Sequence, residues 1–130
     1  MKTILKICSS FLLAFVLLLS FSGVASAIPT MCDLTGDNYV CPNENLDLYD
    51  AIVVELPEDN VVVVDVAPYE GGSYTLNYDL GTTREVETYE GIQHINEQTP
   101  PYEELGFVQN VPDPYTDESQ TVNITISKRY

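Results

Sequence analysis

Oxygen-bearing residues recur at a regular spacing between positions 33 and 44. When Asp33 is counted as position 1 of a loop, positions 1, 3, 5, 7 and 12 hold Asp33, Thr35, Asp37, Tyr39 and Glu44. Loops that bind Ca²⁺ place ligands at these positions, with a backbone carbonyl at position 7 and a bidentate glutamate at position 12. The spacing therefore predicts a calcium site formed by four side chains and the carbonyl oxygen of Tyr39.

Two cysteines offer a second interpretation of the same residues. Cys32 precedes the loop and Cys41 occupies its position 9. In an oxidising compartment such a pair forms a disulfide by default, and a ring of this size stabilises a fold by roughly 2.5–3 kcal/mol. The loop is then a disulfide-closed turn whose polar side chains make turn hydrogen bonds. Both interpretations stay open from the sequence alone.

A family pattern covers this loop and its continuation. The sequence runs Asp33-Leu-Thr-Gly-Asp37-Asn-Tyr-Val40 and then, after a short break, Leu46-Asp-Leu-Tyr-Asp-Ala-Ile-Val-Val54. These residues resemble the EF-hand-type calcium loop and the following helix of one dockerin repeat. A dockerin carries two such repeats and one is visible here. The resemblance therefore implies a local calcium loop with a helix after it, and does not extend to docking of the dockerin kind.

The first 27 residues have the features of an export signal. Lys2 and Lys6 give a basic start, an apolar run follows, and residues 24–27 offer the small side chains that a signal peptidase requires. We expect the mature chain to begin at Ile28 and to be secreted or held at the cell surface. We also expect it to lack a membrane span once the signal is removed.

The predicted mature chain is strongly acidic. All 20 Asp and Glu residues lie after residue 27, where three basic residues, Arg84, Lys128 and Arg129, leave a net charge of −17. Nucleic acids and anionic membranes are excluded as partners by this charge, because both are bound through clustered Lys and Arg. A cationic protein or a divalent metal is a better match for the acidic surface.

Residues 42–56 show the pattern of a short helix. Pro42 suits a first helical position, and Pro57 supplies an end. Apolar side chains recur at helical spacing at Leu46, Tyr49, Val53 and Leu56. The consecutive β-branched residues 52–54 leave the start of a strand as the other interpretation. We expect residues 28–58, the cysteine ring with this helix, to pack on or extend from a β domain formed by residues 59–130.

Residues 59–130 show short strands separated by turns. We expect strands at 61–66, 73–78, 83–89, 107–111 and 121–127. The charges of 83–89 favour a sheet edge, and the last strand resembles the closing strand of immunoglobulin-like domains. The predicted fold is mostly β, a small antiparallel immunoglobulin-like sandwich with one short N-terminal helix.

No set of catalytic residues emerges from the sequence. His94 is the single histidine, and no serine stands in a nucleophile motif. We therefore expect a calcium-stabilised binding or structural module, not an enzyme, with a protein or surface component as partner. The alternative is a secreted inhibitor of an extracellular hydrolase. Its contact surface would be the proline-stiffened loop Thr99–Gly106, because a rigid loop loses little entropy on binding.

Overall fold

The computed structural model describes residues 29–130, so the predicted export signal lies outside the described residues. Within this range the chain forms nine strands and no helix, and therefore contains no helix that could cross a membrane. The strands are β1 (Thr30–Asp33), β2 (Glu44–Leu46), β3 (Ala51–Leu56), β4 (Val61–Pro68), β5 (Ser73–Asp79), β6 (Arg84–Glu90), β7 (Gln93–Gln98), β8 (Glu104–Val111) and β9 (Val122–Lys128).

The nine strands form two sheets. Sheet A has the order β1-β3-β8-β5-β6, and sheet B has the order β2-β9-β4-β7. Every pair is antiparallel except β1 with β3, which is parallel. The predicted mostly β, largely antiparallel architecture is confirmed, and β6 lies at a sheet edge as expected. The immunoglobulin-like arrangement stays a prediction.

One hydrophobic core joins the inner faces of the two sheets. Alternate side chains of β9 in sheet B and of β5 in sheet A are buried in it: Val122, Ile124, Ile126, Tyr74, Leu76 and Tyr78. β9 shows the clean alternation of a strand with one buried face. In β5 the outward Thr75 is buried as well, and its hydroxyl lies 2.8 Å from that of Thr88 in β6. The alternation of Val122, Ile124 and Ile126 with polar residues in the sequence predicts this inward set of β9.

The predicted helix over residues 42–56 is wrong. These residues form β2 and β3, separated by a turn in which Tyr49 has a left-handed φ of 69°. β3 lies between β1 and β8 in sheet A, and its first four residues, 51–54, are all buried, so both of its faces are covered. A strand covered on both faces loses the two-residue alternation, and its consecutive apolar residues also fit a helical spacing.

The N-terminal residues belong to both sheets. β1 and β3 are strands of sheet A, whereas β2 pairs with β9 in sheet B. The expected N-terminal part, residues 28–58, therefore contributes three strands to the same two-sheet core as residues 59–130.

Four loops meet at one end of the two-sheet core. They are residues 47–50, 69–72, 91–92 and 112–121, and we call this the Tyr115 end. Hydrogen bonds connect them: Tyr69 N to Thr121 O (3.1 Å), Gly91 N to Gly72 O (3.1 Å), and Thr121 Oγ1 to Asp47 Oδ1 (2.5 Å). The loops 57–60, 80–83 and 99–103 lie at the opposite end.

Candidate functional site

The disulfide between Cys32 and Cys41 joins the two sheets. Cys32 lies in β1 at the edge of sheet A, and its Cα is 5.7 Å from that of Cys41. The backbone N–H of Cys41 donates to the carbonyl of Ile126 in β9 of sheet B at 2.9 Å. The predicted disulfide is confirmed, and it closes one side of the core as well as a local loop.

Two of the five predicted calcium ligands lie in direct contact. Asp33 Oδ1 accepts one hydrogen bond from the backbone N–H of Thr35 (2.9 Å) and another from its hydroxyl (2.6 Å). These bonds hold the pKa of the Asp33 carboxyl below its usual value. An aspartate that binds the backbone two residues onward is a turn-forming arrangement.

The other three predicted ligands have separate environments. Glu44 begins β2 opposite Ile124, Asp37 is exposed in the loop, and the carbonyl of Tyr39 accepts the backbone N–H of Lys128 at 2.8 Å. Among residues 29–130, no three His, Cys, Asp or Glu side chains are grouped so that they could hold a metal ion. Calcium binding by the 33–44 loop stays a prediction.

Lys128 places a positive charge in this loop. Its Nζ donates hydrogen bonds to the carbonyls of Leu34 and Gly36, both at 2.6 Å. The same Nζ lies 4.8 Å from the centroid of the Tyr39 ring, a cation–π distance. The ammonium thus binds two carbonyl oxygens of the loop that are not among the predicted calcium ligands.

Asp33 also lies opposite a second carboxyl group. Asp33 and Glu55 are partners in the β1–β3 register. Burial raises the pKa of Glu55, and the negative charges of Asp33 and Glu103 raise it further. Two neighbouring carboxylates cannot both ionise without mutual repulsion. This pair is therefore an electrostatic weak point in sheet A.

Tyrosine hydroxyls and glutamates meet along the outer edge of sheet A. The Tyr78 and Tyr89 hydroxyls are 2.9 Å apart. Tyr78 also donates to Glu85 Oε2 and Tyr89 to Glu87 Oε2, each at 3.2 Å. Burial is the largest cause of the raised pKa of both phenols. The charge of Glu85 raises the pKa of Tyr78 further, whereas the hydrogen bond with Tyr89 lowers it; Tyr78 and Glu87 both raise the pKa of Tyr89. Both hydroxyls stay protonated at neutral pH. The two carboxylates lie on the exposed strand β6.

The most exposed aromatic side chain of the described chain belongs to Tyr115, which is 94% exposed. Its loop is closed by hydrogen bonds rather than by core packing. Asp113 Oδ1 accepts hydrogen bonds from the backbone N–H groups of Tyr115 (2.8 Å) and Thr116 (3.3 Å). The backbone N–H of Asp113 donates to the carbonyl of Glu118, and its carbonyl accepts from the N–H of Asp117, both at 2.9 Å. The tyrosine is thus presented on an ordered loop.

Two amide side chains connect this loop to its neighbours. Gln120 donates through Nε2 to the carbonyls of Gly71 (2.7 Å) and Ser73 (2.9 Å), and accepts the Glu70 N–H (3.0 Å). The fully buried Asn110 donates to the carbonyls of Leu46 (2.8 Å) and Gln120 (2.7 Å). The Tyr115 end is therefore one hydrogen-bonded unit.

Each loop of the Tyr115 end exposes one large apolar side chain. The exposed fractions are 40% for Leu48, 63% for Tyr69, 68% for Ile92 and 94% for Tyr115. Acidic residues surround them, including Asp47, Glu70 and Glu118, all exposed. Aromatic anchors within a polar rim are the composition of protein-binding surfaces.

The predicted contact loop Thr99–Gly106 is largely occupied within the fold. Thr99 and Pro100 are buried, and the carbonyl of Pro100 accepts the Asp59 N–H at 2.7 Å. Gly81 lies so close to Pro100 that an added Cβ would be 2.5 Å from its ring. Residues 101–103 alone form an exposed tip.

His94 has no catalytic surroundings in the structure. It pairs through Nδ1 with Asp65 Oδ1, and the two side chains are 70% and 43% exposed on the outer face of sheet B. An open, solvated pair offers no cleft in which a substrate would be desolvated.

The sequence predictions do not include Tyr115, which the structure exposes on loop 112–121. Its one signal is the run Asp113-Pro114, a turn-initiating pair, placed before an aromatic residue. That pattern predicts a turn, but the gathering of four loops at one end depends on strand order, which no local pattern contains.

No family model matches the sequence, and no curated protein matches it. Among solved structures, the fold is similar to the crystal structure of Aeromonas hydrophila PliG, a periplasmic lysozyme inhibitor of g-type lysozyme. The two chains are 10% identical, the match covers 80% of this chain and 100% of that chain, and the TM-score is 0.48.

Proposed function

We propose that this protein is an exported binding module that recognises another protein through the Tyr115 end. The observation that carries the proposal is the Tyr115 side chain, 94% exposed on a loop that hydrogen bonds hold in place. An exposed aromatic ring on an ordered loop buries a large area on binding and loses little conformational entropy.

Three further features support a protein partner. The exposed Tyr69 and Ile92 extend the contact area beyond one loop. The amide contacts of Asn110 and Gln120 hold loops 47–50, 69–72 and 112–121 against the sheets. The described residues hold 20 acidic and three basic side chains, and this net charge of −17 favours a cationic partner and faster encounter with it.

A second candidate function is inhibition of an extracellular hydrolase. The arrangement of loop 112–121 favours it, because the loop projects an aromatic ring beside the carboxylates of Asp117 and Glu118. A projecting ordered loop of this kind can occupy a substrate cleft without being rearranged. In that case the Tyr115 end is the same contact surface, and the partner is an enzyme.

The proposal is tested by capture of exported proteins on the immobilised mature chain. We expect the immobilised chain to capture a protein. Soluble wild-type chain should release this protein by competition, whereas soluble Tyr115→Ala should compete poorly. The matched control is Tyr102→Ala at the opposite end, where Tyr102 is 57% exposed. Equal displacement by both variants would remove the Tyr115 end as the contact surface.

Enzyme assays of the captured partner separate the two candidate functions. The inhibitor function is supported if wild type abolishes the hydrolytic activity of the partner and Tyr115→Ala leaves that activity intact. Binding without any change in activity supports the module.

A further inference from the structure

We propose that β6 is a second binding surface, which accepts an extended basic segment of a partner protein as an added antiparallel strand of sheet A. This surface uses the backbone edge of β6 and none of the loops of the Tyr115 end. It goes beyond the proposed function and does not depend on it.

The edge of β6 is open. β6 pairs with β5 over seven residues, Arg84 to Glu90, and no other described strand pairs with it. Six of its seven residues are exposed, and the seventh, Tyr89, is half-buried. The strand contains no proline. A strand of this length with an unpaired edge is a template for addition of another strand.

The register with β5 decides which backbone groups face outward. The N–H of Leu80 donates to the carbonyl of Thr83 (2.9 Å), and the N–H of Gly91 donates to that of Gly72 (3.1 Å). In an antiparallel ladder, such hydrogen-bonded pairs recur at every second residue. Residues 85, 87 and 89 therefore bond to β5, and residues 84, 86 and 88 present their N–H and C=O groups to the open edge. Glu90 also faces this edge, but its carbonyl accepts a hydrogen bond from Gln93 Nε2 at 3.1 Å.

The side chains of β6 define the chemistry of the added strand. Glu85 and Glu87 share the face of Tyr78 and Leu76, their partners in β5. An incoming strand would meet these two glutamates at its non-hydrogen-bonded positions, where cross-strand side chains approach most closely. It therefore needs Lys or Arg at two alternate positions. On the opposite face Val86, 58% exposed, favours an apolar residue between them.

Charge also decides against a second copy of this chain. The described residues of each copy carry a net charge of −17. Pairing of two β6 strands about Glu87 would place the same carboxylate opposite itself, which is unfavourable across strands. The glutamates thus deter self-association while they select a basic strand.

The test uses a synthetic peptide with the sequence Thr-Val-Lys-Val-Lys-Val-Thr and the ¹⁵N-labelled mature protein. We expect the amide protons of Val86 and Thr88 to become protected from hydrogen exchange when the peptide binds. Those of Glu85 and Glu87 should change little, because β5 already bonds them. Protection at neither Val86 nor Thr88 would overturn the proposal.

Two variants separate strand addition from simple charge attraction. Val86→Pro removes one outward N–H without removing a bond to β5, and proline is tolerated at such edge positions. It should abolish binding while the fold, checked by the amide spectrum, is kept. Glu87→Gln should weaken binding by up to about fivefold, the size of one cross-strand pair. Glu118→Gln, the same charge change in loop 112–121, should not.

Three outcomes would overturn strand addition. They are wild-type affinity in Val86→Pro, equal weakening by Glu87→Gln and Glu118→Gln, and peptide-free dimers formed through β6. Tyr115→Ala should bind the peptide normally. A failure of this surface is therefore distinguishable from a failure of the proposed function.

Discussion

Lys128 is the residue on which the order of the N-terminal loop depends most. Its ammonium binds two loop carbonyls and lies over the Tyr39 ring, while its own backbone N–H bonds the Tyr39 carbonyl. The spacing of oxygen-bearing residues predicts a cation bound by five other residues of this loop, whereas the ammonium of Lys128 binds the carbonyls of Leu34 and Gly36. No local pattern could indicate it, because Lys128 is 84 or more residues away in the sequence.

Lys128→Met should lower the free energy of unfolding by about 1.5–3 kcal/mol. The reason is the loss of hydrogen bonds from a charged donor to carbonyls that stay in place. Chemical denaturation of the mature protein measures it. Arg129→Met is the control with the same charge change, since Arg129 is exposed and donates to the exposed Asn96. Equal losses in both variants would mean that net charge, not the loop contacts, is responsible.

Calcium should raise the melting temperature of the mature protein, with weak affinity of roughly 10⁻⁴–10⁻³ M, the range of extracellular modules. Equal ionic strength of sodium should not reproduce the rise. Asp37→Asn should reduce the response and Glu44→Gln should nearly abolish it, whereas Glu104→Gln should keep it. A response that is the same in all three variants would show that calcium only screens the acidic surface.

Glu55→Gln should stabilise the protein at neutral pH. The pKa of Glu55 is raised in the folded state. A raised carboxyl pKa makes its contribution most favourable at low pH, and that contribution is lost as pH rises through the folded pKa. The gain in melting temperature should therefore be largest near pH 7 and should shrink in acid, as the wild-type carboxyl takes up its proton. A gain that is independent of pH would contradict this account.

The strands differ in how far their own sequence identifies them. β9 has one buried face, so alternation reveals both the strand and its inward residues. β5 alternates between apolar and polar residues in the sequence, although Thr75 on its other face is buried too. β3 has buried side chains on both faces and β2 has only three residues. Neither strand therefore shows a two-residue alternation of apolar and polar side chains. Their identity comes from pairing with β8, β1 and β9, which are distant in sequence.

The central position of β3 has a direct consequence for substitutions. Val54→Asp should destabilise the protein by several kcal/mol, because Val54 is fully buried and a charge there has no partner. Val86→Asp is the same chemical change in the exposed edge strand β6 and should change stability by less than about 1 kcal/mol. Denaturation curves of the two variants measure this. Similar losses would contradict the assignment of β3 as a central strand.

At the scale of the whole molecule, the sequence predicts a mostly β chain and its disulfide. It does not predict the loop arrangement, because the Tyr115 end is assembled from four segments spread between residues 47 and 121. Strand order brings them together, and the side chains of Asn110 and Gln120 hold them in place. The candidate site is therefore a product of topology rather than of a motif.

The affinity of the captured partner for variants at the two ends tests the binding account most directly. Tyr115→Ala should weaken the complex by at least about 30-fold, as loss of an aromatic hot spot of about 2 kcal/mol does. Tyr102→Ala, at the opposite end, should leave the dissociation constant within about twofold. Titration calorimetry on the mature, disulfide-bonded protein gives both values. An unchanged constant in Tyr115→Ala, or an equal loss in Tyr102→Ala, would contradict recognition through the Tyr115 end.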